Sequence, residues 1–405
     1  MNIENLHIFI KKNFLNKMKM DKFQFSKSSE KMIKQIYSHL LKAESEWLRF
    51  PKIQLNTLSP DNMFTGSAYT YIPQEIRKKI ESDNKIGYTS QLQIGERNII
   101  VKIVFPISSQ STNYAVESVR MLKQIFLWLF IVDKYACKKC SKEMEIFLYM
   151  TDELKLLPRP GDSIDKIHAN TAFTTPCSHS TDIHLFRKEE WFKVFIHETF
   201  HNLGLDFSTM DQSRVEPKIL TMFPLNIPDI RIYESYCETW AELLNIMFTA
   251  YRSTKNKHDI DLILDKMEHY LDLERVFSMF QSTKVLHHYQ LTYEDIYQTR
   301  EHSANLGKVG QYKENTNAFS YFILKPILLF HLNEFIQWAI DNNGSIKEHG
   351  TLDFKKTQTN IMHYAGLIEQ LYDSPEYVQN MARMDILYRE NRGSETRTLR
   401  MSIVG

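Results

Sequence analysis

The stretch Trp191 to Leu203, WFKVFIHETFHNL, constrains this chain more than any other. Its apolar residues Trp191, Phe192, Val194, Phe195, Ile196, Phe200 and Leu203 surround the polar residues His197, Glu198 and His201. The spacing predicts a helix from about Lys188 to Leu203, ended by Gly204 where a left-handed C-cap glycine belongs. Residues four apart on a helix lie one turn above each other, so both imidazoles project from one face. Burying two imidazoles and a carboxylate among aromatic side chains is costly unless something compensates. A metal ion would.

The pattern His197-Glu198-Thr199-Phe200-His201 is H-E-x-x-H, in which two neutral imidazoles suit zinc, and a catalytic zinc keeps one position open for water. Glu198, beside the first histidine, is placed to take a proton from the attacking water as general base and to return one to a leaving amine. A third ligand is still needed. An H-x-x-G-x-x-H continuation is matched only through Gly204, because Phe207 stands where the third histidine would be; Asp206, one residue short, is a fallback. The stronger source is a second helix expected over Tyr233–Tyr251, where Glu238 and Glu242 are four apart and can face one ion. Glu234, one turn earlier, competes for the same role, and two solvent-facing glutamates are the ordinary alternative. Tyr233, Tyr236 and Tyr321 are open choices for a donor to the oxyanion of a tetrahedral intermediate.

Around these helices the order of elements is readable. A helix is expected from about Ser29 to Trp47. Arg97–Phe105 (RNIIVKIVF) and Met144–Met150 (MEIFLYM) read as strands flanking a helix over residues 113–136, and Asn170–Thr175 and Asp182–Phe186 as short extended pieces. Beyond about residue 255 the pattern is almost wholly helical, including Phe319–Ile340. The fold class expected is α+β: a small mixed sheet with an active-site helix, then a mostly helical C-terminal region. The boundaries expected are 1–90 (helical and irregular), 91–254 (catalytic) and 255–405 (helical).

This arrangement over about residues 95–250 resembles the zincin fold of zinc peptidases, and the paired acids resemble its gluzincin branch. There the first acid ligates zinc and the second, one turn on, holds a ligand histidine. The resemblance therefore implies Glu238 as ligand and Glu242 behind it, with one zinc per chain. Glu238-Thr239-Trp240-Ala241-Glu242 is also similar to the acid-bearing segment of lethal-factor-type peptidase domains. Asn170, Thr171, Ala172, Phe173 and Thr174 resemble the edge strand that zincins lay beside a peptide or protein substrate, an arrangement that binds backbone by strand addition. The stretch HLFRKEEWFKVFIHETFHNLGLDFS resembles metallopeptidase-like proteins of large DNA viruses, a likeness that implies no substrate.

Zinc-dependent hydrolysis of peptide bonds is thus the expected function. The alternative is a catalytically silent zincin used as a structural or interaction protein; retention of Glu198, dispensable for holding zinc, speaks against it. A formal net charge of +1 supplies no global field for nucleic acid. The most apolar run, Ile125–Val132, is eight residues long against the roughly 20 that span a bilayer. The N-terminal segment lacks a secretory-signal pattern, and four cysteines in 405 residues make no disulfide framework. An intracellular, cytoplasmic setting with reduced thiols is expected, virion-associated if the viral likeness holds. Cys137 and Cys140 have zinc-ligand spacing that Cys177 and His179 could complete, but isolated reduced thiols are the leading expectation.

Overall fold

The computed structural model describes residues 3–50, 53–64, 67–82, 84–107, 113–343, 351–391 and 397–405. They form an α+β protein with a mixed six-stranded sheet. Contacts divide the chain into two compact units: a sheet unit of residues 31–154 and 170–206, and a helical unit of residues 1–30, 155–169 and 207–405.

The sheet unit contains β1 (Asn56–Thr57), β2 (Lys85–Ile94), β3 (Arg97–Pro106), β4 (Glu143–Tyr149), β5 (Ala172–Thr174) and β6 (Ser180–Leu185). They are ordered β1-β2-β3-β4-β6-β5. Strands β3, β4 and β6 run parallel, and the flanking pairs β1/β2, β2/β3 and β5/β6 are antiparallel. The expected strands at 97–105 and 144–150 are present as β3 and β4. Strand β2 was not expected. Its sequence, KIGYTSQLQI, carries polar residues at every other position near its end and no β-branched run, because one face is largely solvated. What defines it is the turn: Ile94 pairs with Arg97 across Gly95 and Glu96, and Gly95 has φ +57°. A Cβ at Gly95 would also lie 2.9 Å from Asp133 Oδ2. Glycine is needed there on both counts.

Between the parallel strands β3 and β4 runs the helix Tyr114–Val132, started by the Asn113 side chain accepting from Val116 N at 3.2 Å. The apolar run Ile125–Val132 lies inside this helix, with every residue but Phe130 buried. Along the opposite direction of the sheet, side chains at register-matched positions stack. Lys102 Nζ lies 4.6 Å from the Phe147 ring centroid, Phe147 stacks on His184 at 4.4 Å, and His184 on Phe173 at 4.9 Å. This ladder crosses four strands and anchors the short edge strand β5, which has only three residues of backbone pairing of its own.

Helices make up the other unit. Ile232–Ser253, Ile260–His288, Lys325–Phe330, Leu332–Asn343, Gln358–Leu371 and Pro375–Glu390 are its main elements. Ile232–Ser253 is buried continuously from Ile232 to Phe248, as a helix at the centre of a core must be. The expected helix Phe319–Ile340 is broken at His331 into shorter pieces. Among the described residues, no helix is long and apolar enough to cross a membrane.

Cys140 and Cys177 form a disulfide with their Cα atoms 4.8 Å apart. The expectation of isolated reduced thiols is therefore corrected at these two positions, since residues 37 apart in sequence are brought side by side by the parallel pairing of β4 and β6.

Candidate metal centre

The helix carrying the histidines spans Trp191–Asn202 and follows β6 directly. Its C-terminus is closed by two backbone bonds, Gly204 N to His201 O at 3.2 Å and Leu205 N to Phe200 O at 2.8 Å. With Gly204 at φ +68°, these make a Schellman turn. A Cβ at Gly204 would meet Cys140 Sγ at 2.9 Å, so a left-handed backbone and a close sulfur neighbour both require glycine.

The position between the two histidine-flanked residues is also held. Thr199 Oγ1 accepts from Trp128 Nε1 at 2.8 Å and donates to Ile196 O at 2.6 Å. Trp128 belongs to the Tyr114–Val132 helix and is fully buried. The histidine helix is thereby fixed in rotation within the sheet unit, on buried groups whose hydrogen bonds leave little freedom.

His197 and His201 project together as their spacing predicts. Their Nε2 atoms are 3.1 Å apart, and the rings meet at 74°. The Schellman turn reverses the chain so that Asp206 returns to the same helix end, where its Oδ2 is 2.6 Å from His201 Nδ1. A carboxylate only accepts, so His201 Nδ1 carries the hydrogen and its Nε2 offers a lone pair toward His197. A cation between the rings would take that lone pair together with one from His197. Both nitrogens would then face it: two nitrogens at zinc distance in tetrahedral geometry stand about 3.3 Å apart. The two imidazole nitrogens are donors that could hold a metal ion. His197, Glu198 and Asp206 are buried and His201 is nearly so.

Asp206 was a fallback ligand in the sequence; its Oδ2 meets the far nitrogen of His201. The signal for this is the run His-x-x-Gly-x-Asp, because a left-handed glycine after a helix returns the chain to its last turn.

The sequence-predicted acids all belong to Ile232–Ser253 in the helical unit, and all three are buried. Solvent-facing glutamates are not what the helix contains. Glu234 accepts from Tyr321 Oη at 3.0 Å and from Asn317 Nδ2 at 2.9 Å. Glu238 is 2% exposed. Glu242 Oε2 takes Lys325 Nζ at 3.1 Å in an ion pair sealed from solvent. That lysine was not anticipated, 83 residues away with no sequence signal linking the two.

Of the three tyrosines, Tyr321 gives its hydroxyl to Glu234. Tyr236 donates to Leu352 O at 3.0 Å and accepts from Asn343 Nδ2 at 2.9 Å, deep in the helical core, where burial pushes its hydroxyl pKa well up. Tyr233 packs its ring against Phe207. In the sheet unit, Asn170 and Thr171 precede β5, and Ala172, Phe173 and Thr174 form it at the sheet's edge. The edge strand is tied to the histidine helix by Asn202 Nδ2 donating to Thr174 Oγ1 at 3.1 Å.

No protein-family model, no curated protein and no solved structure matches this chain.

Proposed function

We propose that this chain is a zinc-dependent peptidase, with one metal held by His197 and His201. The observation that carries the reading is the convergence of two imidazole Nε2 atoms at 3.1 Å, one of them fixed as an acceptor by Asp206 on its other nitrogen.

Zinc, when bound, supplies Lewis acidity and lowers the pKa of water at its open position. The rest falls to the protein. Glu198, next to His197 on the helix, takes a proton from the attacking water and passes one to the leaving amine. Asp206 keeps His201 in the tautomer that presents Nε2 and raises its basicity. Strand β5, antiparallel at the edge of the sheet and tethered to the histidine helix through Thr174, offers its free backbone to an extended peptide substrate. Glu238 remains the ligand indicated by the gluzincin likeness, with Glu234 its competitor, since it too is buried and is already oriented by Tyr321 and Asn317.

The test is Glu198→Gln. Zinc content, measured by elemental mass spectrometry, stays at one per chain, while cleavage of a mixed peptide library falls by about 10² to 10⁴. Equal cleavage by both proteins rejects Glu198 as the base. Zinc binding without cleavage by either protein leaves the silent, scaffold reading standing.

A further inference from the structure

We propose that Cys137, Cys140 and Cys177 form a thiol–disulfide exchange site at the C-terminal end of the histidine helix. The three sulfur atoms all lie within 4.8 Å of one another. Two are joined, Cys140 to Cys177, and Cys137 is free and half-buried beside them. A tight turn with Cys140 N donating to Cys137 O at 3.1 Å brings the first pair together, and all three residues belong to the sheet unit.

The arrangement has direction. Cys140 is completely buried, whereas Cys177 is exposed. After losing its proton to solvent, the Cys137 sulfur attacks Cys140 Sγ. The Cys137–Cys140 bond forms, the Cys140–Cys177 bond breaks, and the electron pair leaves on Cys177 sulfur, which then takes a proton from solvent. No net oxidation occurs, so no external oxidant is needed. Departure is favoured from Cys177 because the leaving thiolate is the one that water can solvate.

Exchange would be felt at the histidine helix. Cys137 N donates to Leu203 O at 3.2 Å, and Cys177 N to His201 O at 3.2 Å. A Cβ on Gly204 would sit 2.9 Å from Cys140 Sγ and 3.4 Å from Cys177 Sγ, so the disulfide rests directly against the turn that brings Asp206 to His201. Moving the covalent bond from Cys177 to Cys137 removes the covalent tie between the Cys177 segment and Cys140 beside this turn, and leaves an accessible thiol for capture by a small disulfide.

The experiment uses the full chain purified without reductant and alkylated with iodoacetamide, followed by non-reducing peptide mapping. The wild-type protein yields both the Cys140–Cys177 and Cys137–Cys140 linkages, with alkylated Cys177. In Cys137→Ser only Cys140–Cys177 is found, and Cys177 is labelled at least about tenfold more slowly, as expected when the attacking thiol is gone. A second variant, Cys177→Ser, treated with oxidised glutathione, acquires the Cys137–Cys140 disulfide. Equal Cys177 labelling in wild type and Cys137→Ser, or no Cys137–Cys140 linkage in Cys177→Ser, overturns the proposal. So does a second zinc per chain that is lost in Cys137→Ser, which would make the three sulfurs a metal site. None of these readouts involves peptide cleavage, so their outcome is independent of the peptidase reading.

Discussion

His201 Nδ1 lies 2.6 Å from Asp206 Oδ2, five residues on and past the end of the same helix. This contact sets which nitrogen of His201 carries a hydrogen, while Nε2 faces His197. Replacing Asp206 by Asn removes the charge while keeping the shape. Zinc affinity, measured by competition with a chromogenic chelator, is expected to fall about 10- to 100-fold. An unchanged affinity would mean that the carboxylate only packs.

Thr199 lies between the two histidines but turns its hydroxyl away, to Trp128 Nε1 and Ile196 O. Thr199→Val keeps the volume and strands the indole N–H in the core. Urea unfolding should show a loss of about 1–3 kcal/mol, the cost of a buried unsatisfied donor. Zinc stoichiometry should not change.

In the helical unit, Lys325 Nζ joins Glu242 Oε2 and also donates to Met401 O at 2.8 Å. Glu274 belongs to the same buried group, accepting at Oε1 from Ser402 Oγ, Ile403 N and Val404 N. Its carboxyl pKa is raised by burial and by the neighbouring Glu242 charge. Lys325→Met leaves Glu242 without its counter-ion, and a destabilisation of about 3–5 kcal/mol is expected by denaturant titration. The double variant Lys325→Met/Glu242→Met should recover most of it, because the uncompensated charge is then gone. Failure of the double variant to recover would assign the loss to packing.

Burial raises the Glu314 carboxyl to about 7 from an ordinary value of 4.5, against opposing hydrogen bonds from Tyr312 Oη and Phe319 N. The folded state therefore holds this proton more tightly than the unfolded chain. The resulting stability is complete below pH 4.5 and is lost as pH rises toward 7, where the folded group itself ionises. Glu314→Gln mimics the protonated form. It should flatten the fall in unfolding free energy between about pH 5 and 7, an effect on the order of 3 kcal/mol. A slope identical to wild type in this window counts against the raised value.

How much of this was legible in the sequence depends on the range of the interaction. The facing imidazoles of His197 and His201, the glycine that ends their helix, strands β3 and β4, and the edge position of Ala172–Thr174 all follow from spacings of a few residues. Local geometry enforces such spacings wherever the chain is placed. Strand β2 escaped because one face is solvated and its register depends on a turn at Gly95 and on pairing with β3. The Cys140–Cys177 bond, the Glu242–Lys325 pair and the clasp of Trp128 on Thr199 join residues 37, 83 and 71 apart. At those distances loop closure and packing choose the partner, and no local pattern records the choice. The amino-acid order alone therefore determined that two histidines and a glutamate share a buried helix; only the folded chain decided what each of those groups touches.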